Sequence, residues 1–215
     1  MKKFRTYDGG NPSPVRNIAS SKAGKQTTVF PSRKNGTSII CESRLEADAC
    51  LAWEQDPSVL RYYAQPEHLF VVVNEKSSSY TPDFAVIYDT GKMRFVEVKP
   101  DTVLNKPKYM ALFEETQKLL APVHQFQLLT SKEIRRQPRL RNLKAIYHQS
   151  GRVSELERAF LRDQLSVLSS PVQVRTLLGL PTPPSARAIA AAIFDGELRL
   201  NWNTLYTENS WVHWG

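Results

Sequence analysis

The sequence predicts an α/β fold, a mixed sheet flanked by helices, followed by a small C-terminal α+β domain of winged-helix-like layout. Three observations carry this reading. Short apolar runs at Leu69–Val73, Tyr80–Tyr88 and Met93–Lys99 are separated by polar turn residues, the pattern of strands in an antiparallel meander. A helical run over residues 109–120 leads into a further strand, Phe126–Thr130, and a helix crossing between strands favours a parallel pair. After Gly151 the composition shifts, and three helical stretches are followed by an alternating strand over residues 197–202.

Each element has its own local signal. Residues 1–40 are rich in Ser, Thr, Asn, Gly and Lys without apolar periodicity, which predicts a basic flexible arm. From Glu42 to Asp56 the residues Leu45, Ala49, Ala52 and Trp53 recur at helical spacing, and Pro57 stops the run. Asn74 to Ser79 reads as turn material. Pro82 stands at the entry of the second strand, where a missing N–H is tolerated. Ser131 to His148 reads as a helix that Pro138 should break or kink. Beyond it, Ser154-Glu155-Leu156-Glu157 has the acids of a helix N-terminus, Pro171 to Leu178 reads as a second short helix and Ser185 to Phe194 as a third. The expected organisation is an arm (1–40), an α/β domain (41–150) and the C-terminal domain (151–215).

The chain of 215 residues carries a net charge of +8, unevenly spread. Residues 1–40 hold eight Lys or Arg against one acid, Asp8, whereas residues 151–215 hold six of each sign. No apolar run approaches the roughly 18 residues needed to cross a bilayer. No apolar segment follows the basic start Met1-Lys2-Lys3-Phe4-Arg5, so the expectation is a cytoplasmic protein with reduced thiols and no membrane partner. Cys41 and Cys50 are not spaced as zinc ligands, and the four histidines are scattered.

The chemistry concentrates at Pro82-Asp83 and Glu97-Val98-Lys99, the latter the only acid-x-Lys triplet in the chain. Side chains alternate along a strand, so Glu97 and Lys99 share a face while Val96 and Val98 take the other. If the second and third strands pair, Asp83 lies beside Glu97. Two close carboxylates share a proton unless a cation neutralises them. Mg²⁺, with Mn²⁺ as a substitute, suits such oxygen donors and keeps several waters. Lys99 can then orient or help deprotonate an attacking water, and the metal stabilises charge on a phosphodiester. Glu46, at the margin of the first helix's apolar stripe, is a candidate third acid, with Glu42, Asp48 and Glu54 as alternatives on the same helix. The bland reading of Glu97 and Lys99 is a solvated cross-strand pair, and that of Asp83 a strand-entry residue.

The order of motifs resembles the TnsA family, the endonuclease subunits of heteromeric bacterial transposases. The resemblance is carried by Ser43-Arg44-Leu45-Glu46, Asp56-Pro57-Ser58-Val59, Gln65-Pro66, Tyr80-Thr81-Pro82-Asp83-Phe84 and Val96-Glu97-Val98-Lys99-Pro100. It implies a restriction-endonuclease-like fold for residues 41–150. It implies Glu46, Asp83 and Glu97 as metal-binding acids, Val98 as a backbone carbonyl ligand and Lys99 as the catalytic lysine. It implies cleavage of the 5′ (non-transferred) strands at transposon ends on double-stranded DNA. The expected partners are a TnsB-type DDE transposase and a TnsC-type AAA+ ATPase, the latter meeting the C-terminal domain. The compact length is similar to versions found with CRISPR-associated transposons. Expected DNA contacts are Lys22, Lys25, Arg33 and Lys34 in the arm and Lys132, Arg135, Arg136 and Arg139 in the basic helix. A solvated tail and a solvated helix face are the respective alternatives. Two other functions stay open at this point: a stand-alone restriction- or resolvase-like nuclease, and a non-catalytic DNA-binding adaptor.

Overall fold

An antiparallel turn and one helix crossing build the sheet that the sequence predicts, within residues 27–215, the part described by the computed structural model. In chain order a hairpin of β1 (Thr28–Ser32) and β2 (Thr37–Cys41) leads into α1 (Arg44–Gln55). Strand β3 (Val59–Ala64) follows, then a second hairpin of β4 (Leu69–Val73) and β5 (Lys76–Tyr80). Strands β6 (Phe84–Tyr88) and β7 (Met93–Lys99), helix α2 (Pro107–Leu120), strand β8 (Gln125–Thr130) and the short α3 (Ser131–Ile134) complete the first of two compact units, which divide between Ile134 and Arg135.

The central sheet has the order β3-β6-β7-β8, with the last pair parallel and the others antiparallel. It is therefore mixed, as the α2 crossing predicts, and the α/β class of the first unit stands. The meander differs from expectation. β4 pairs with β5 in a separate two-stranded sheet, so Asn74–Ser79 is largely strand and not turn, and the neighbour of β6 is β3. One face of the sheet packs on α1, where the Trp53 ring meets Phe84 edge-on at 4.8 Å and Tyr62 at 5.3 Å. The other face buries Ala85, Met93 and Phe95 against Phe113 and Leu120 of α2 and Leu69 and Val71 of β4.

Of the arm expected over residues 1–40, residues 1–26 lie outside the described residues, and the rest is not an arm. Thr28–Cys41 forms the β1–β2 hairpin because it alternates: Phe30, Ser32, Ile39 and Cys41 point inward while Val29 and Ile40 are exposed. The buried carboxylate of Glu54 on α1 fastens its turn, accepting from the Ser32 hydroxyl (2.5 Å), the backbone N–H groups of Arg33 and Lys34, and the Tyr62 hydroxyl (2.7 Å). Asn35 bonds both the carbonyl and the N–H of Tyr62.

In the second unit, α4 (Arg139–Gln149) begins after Pro138, where the long basic helix was expected to break. Then come α5 (Glu155–Ser166), β9 (Val172–Gln173), α6 (Val174–Leu178), α7 (Ala186–Phe194), β10 (Arg199–Leu200) and β11 (Trp211–His213). The three strands form an antiparallel sheet of order β10-β11-β9. The expected boundary at residue 150 moves to 134 because α4 belongs here. Its Leu140, Leu143, Ile146 and Tyr147 are buried, and the Tyr147 ring lies 5.1 Å from Phe194 of α7. Helix α7 is apolar apart from Arg187, and Ala188 to Phe194 are buried without exception. Asn142 of α4 holds the loop before β11, donating to the carbonyls of Trp202 and Thr204 and accepting from the Tyr206 N–H.

Candidate functional site

Pairing of β6 with β7 sets Phe84 opposite Val96, so Asp83 and Glu97 fall at the next position on the face that carries Ala85 and Phe95. Thr81 to Asp83 runs outside the ladder, since Pro82 has no N–H to donate. The Asp83 N–H instead donates to Glu97 Oε2 (3.3 Å) and the Val98 N–H to Asp83 Oδ2 (2.8 Å). These bonds clamp the two acids together. The loop between β3 and β4 lies along the same stretch: the Gln65 N–H donates to the Asp83 carbonyl (2.9 Å), and His68 Nδ1 bonds the Thr81 hydroxyl (2.7 Å).

The Lys99 ammonium stands where three oxygens meet. It lies 3.0 Å from Asp83 Oδ2, 2.6 Å from Glu97 Oε1 and 3.3 Å from the Val98 carbonyl. The acids are buried, whereas the Lys99 side chain is 29% exposed, so the cluster opens to solvent at the lysine. The other Glu97 oxygen accepts the Tyr80 hydroxyl at 2.6 Å. Tyr80 was read from sequence only as a strand residue. The signal was an aromatic with a polar tip three positions before Asp83, on an otherwise polar strand.

Burial and the neighbouring Asp83 charge push the Glu97 carboxyl up to about 7, against the pull of Lys99 and the Tyr80 hydroxyl. Burial works against the Lys99 ammonium, but the carboxylates of Asp83 and Glu97 outweigh it and hold its pKa above the ordinary lysine value. Glu46 is also pushed up to about 7, by burial and then by the charge of Asp83. Its oxygens accept from the Glu42 N–H (2.7 Å) and the Ser43 hydroxyl (2.8 Å), while Ser43 caps α1 through the Glu46 N–H. The structure thus brings Asp83, Glu97, Val98 and Lys99 into one cluster. Glu46 stands within range of the Asp83 charge but is bonded to its own helix terminus.

Among the described residues no group of three or more His, Cys, Asp or Glu side chains is arranged to hold a metal ion. The donors that do converge are two carboxylates and a carbonyl, all hard oxygens around a point occupied by an ammonium. That set fits a small divalent cation, since Mg²⁺ is commonly held by one or two carboxylates with water filling the remaining positions.

Residues 56–131 match the family model described as TnsA-like endonuclease N terminal. That stretch of the chain is similar to the N-terminal domain of TnsA-like endonucleases. The matched span contains Gln65, Tyr80, Asp83, Glu97, Val98 and Lys99, so it takes in all the clustered residues. Glu46 and the second unit lie outside the match. A comparison with curated proteins gave no match.

The expected DNA contacts fall in different settings. Lys22 and Lys25 lie outside the described residues. Arg33 is exposed at the β1–β2 turn, but the Lys34 ammonium donates to the carbonyls of Asp56 and Val59, tying the hairpin to the turn after α1. Lys132, Arg135 and Arg136 are exposed and Arg139 is half-buried. No helix among the described residues is long and apolar enough to cross a membrane.

Proposed function

We propose that the chain is a divalent-metal-dependent DNA endonuclease, using Mg²⁺ or Mn²⁺, that cuts the 5′ strands at transposon ends during transposition. The observation that carries this reading is the convergence of Asp83 Oδ2, Glu97 Oε1 and the Val98 carbonyl on one cationic point inside the stretch similar to TnsA-like endonucleases. Asp83, Glu97 and the Val98 carbonyl would hold the cation, with Glu46 beside them. When bound, the cation supplies charge stabilisation for the phosphate and acidifies a water. Asp83 fixes the Val98 backbone through its N–H, Tyr80 orients Glu97, and Lys99, moved off the acids, is placed to orient the attacking water. Arg33, Lys132, Arg135 and Arg136 are the described exposed cations proposed to meet phosphates.

A TnsB-type DDE transposase and a TnsC-type AAA+ ATPase are the proposed partners. If the second unit is winged-helix-like, α7 is the helix that would enter a DNA groove, yet Ala188 to Phe194 of that helix are buried. Its basic residue Arg187 is bonded to Glu157 (2.6 Å). That burial supports a protein-docking role for this unit. The test is end cleavage by the assembled proteins with Mg²⁺. The Asp83→Ala protein should lose the 5′-strand cut while the partner's 3′ cutting and joining continue, giving cointegrates. Unchanged 5′ cutting would refute the reading.

A further inference from the structure

Gln65 has no role so far except through its backbone, yet its side chain is the least satisfied in the site. It is 1% exposed, and both Nε2 and Oε1 are shut off from solvent and bonded to nothing among the described residues. A buried amide with neither donor nor acceptor satisfied is costly, and natural proteins keep one where a ligand, ion or water completes it. The backbone is strained at the same residue. Gln65 has φ 49°, in the left-handed region that L side chains rarely adopt. The other positive-φ residues among the described ones besides glycine are Asn74 and Glu75, which form the two-residue turn of the β4–β5 hairpin, where that conformation is required. Gln65 sits in no such turn, and unexplained strain of this kind gathers at ligand sites.

Its position supplies the ligand. The Gln65 N–H donates to the Asp83 carbonyl, so Gln65 lies one strand spacing, about 4.8 Å, from the aspartate of the cluster. A glutamine side chain spans that distance. An amide can donate to and accept from an oxygen without adding charge to a place already holding two carboxylates and an ammonium.

Resting on the metal-nuclease reading above, we propose that Gln65 belongs to the cleavage site. Its amide bonds an oxygen that arrives with the ligands, either a water carried by the divalent cation or an oxygen of the target phosphate.

Three titrations of the full chain test this: thermal melting without metal, Mn²⁺ binding by calorimetry, and binding of a transposon-end duplex in EDTA. Gln65→Leu removes the two unpaired polar atoms, so the metal-free protein should melt at or above the wild-type temperature. It should bind Mn²⁺ about tenfold more weakly if the oxygen is the cation's water. If the oxygen belongs to phosphate, Mn²⁺ affinity should hold and duplex affinity should fall about tenfold. Should Gln65→Leu fail to fold, Gln65→Asn, which tolerates positive φ but retracts the amide by one methylene, should show the same loss. Unchanged Mn²⁺ and duplex binding, with or without a lower melting temperature, overturns the proposal. If wild type binds Mn²⁺ and Asp83→Ala does not, that failure falls on Gln65 alone. If wild type does not bind Mn²⁺, or Asp83→Ala binds it equally well, the metal reading falls and takes the proposal with it.

Discussion

In the first unit Glu46, Asp48, Glu54, Asp83 and Glu97 are all buried, whereas in the second the buried polar residues are Asn142 and Ser150, both neutral. The second unit keeps its charges outside, as in the fork of Arg158 across Asp195 (2.7 Å) and Glu197 (3.0 Å), or the capping box of Ser154 and Glu157 at the start of α5. Its interior is Leu161, Leu177, Ile189, Ile193 and Leu198. Burying a carboxylate is costly unless it is paired. The first unit therefore depends on hydrogen bonds and ion pairs around its buried carboxylates, and the second is built for apolar packing. Strain and unsatisfied groups follow the same division, since Gln65 lies in the first unit.

The comparison breaks most directly at Asp83. Asp83→Ala should lower end cleavage on the order of a thousandfold, about 4 kcal/mol of transition-state stabilisation, with the fold retained by circular dichroism. In the second unit the same kind of truncation should do the reverse. Ile189→Ala should cost about 2–5 kcal/mol and raise hydrogen exchange in α7, while Mn²⁺ binding by the first unit stays at the wild-type value.

The buried acids should also show in the pH dependence. Glu97 and Glu46 titrate near 7 in the fold but near 4.5 unfolded, so the folded chain binds more protons between those values. Without metal, their contribution to stability is fully present below about pH 4.5 and is lost as pH rises through about 7, a difference on the order of a few kcal/mol. Lys99 titrates well above this window and adds nothing to the slope. Melting temperatures in EDTA from pH 5 to 8 should fall relative to those of Glu97→Gln, and a difference curve flat in pH would refute the assignment. The smallest effect belongs to the outer charges of the second unit. Arg158→Ala should shift stability by about 1 kcal/mol or less in denaturant titration.

Much of the site was legible in the sequence because strand alternation fixes which side chains share a face. Asp83, Glu97 and Lys99 needed only the pairing of two strands. The missed elements showed that alternation briefly, irregularly or not at all. β5 is Lys-Ser-Ser-Ser-Tyr and is a strand through its bonds to β4, and β3 carries an irregularity between Val59 and Arg61 that breaks the period. β1 and β2 alternate over only five residues each, within a polar stretch. The bonding of Glu46 to its own helix start and the Tyr80 hydroxyl on Glu97 depend on side-chain contacts that no spacing rule reaches.

The ammonium between the two acids has a consequence for how the site fills. Lys99 is attached to the strand it neutralises, so its presence there does not follow the composition of the medium. A cation entering from solution competes with a neighbour whose effective concentration is fixed by a four-carbon stem. The affinity measured for any such cation therefore contains the work of moving Lys99 aside, and shortening or removing that side chain would change the threshold at which the site loads.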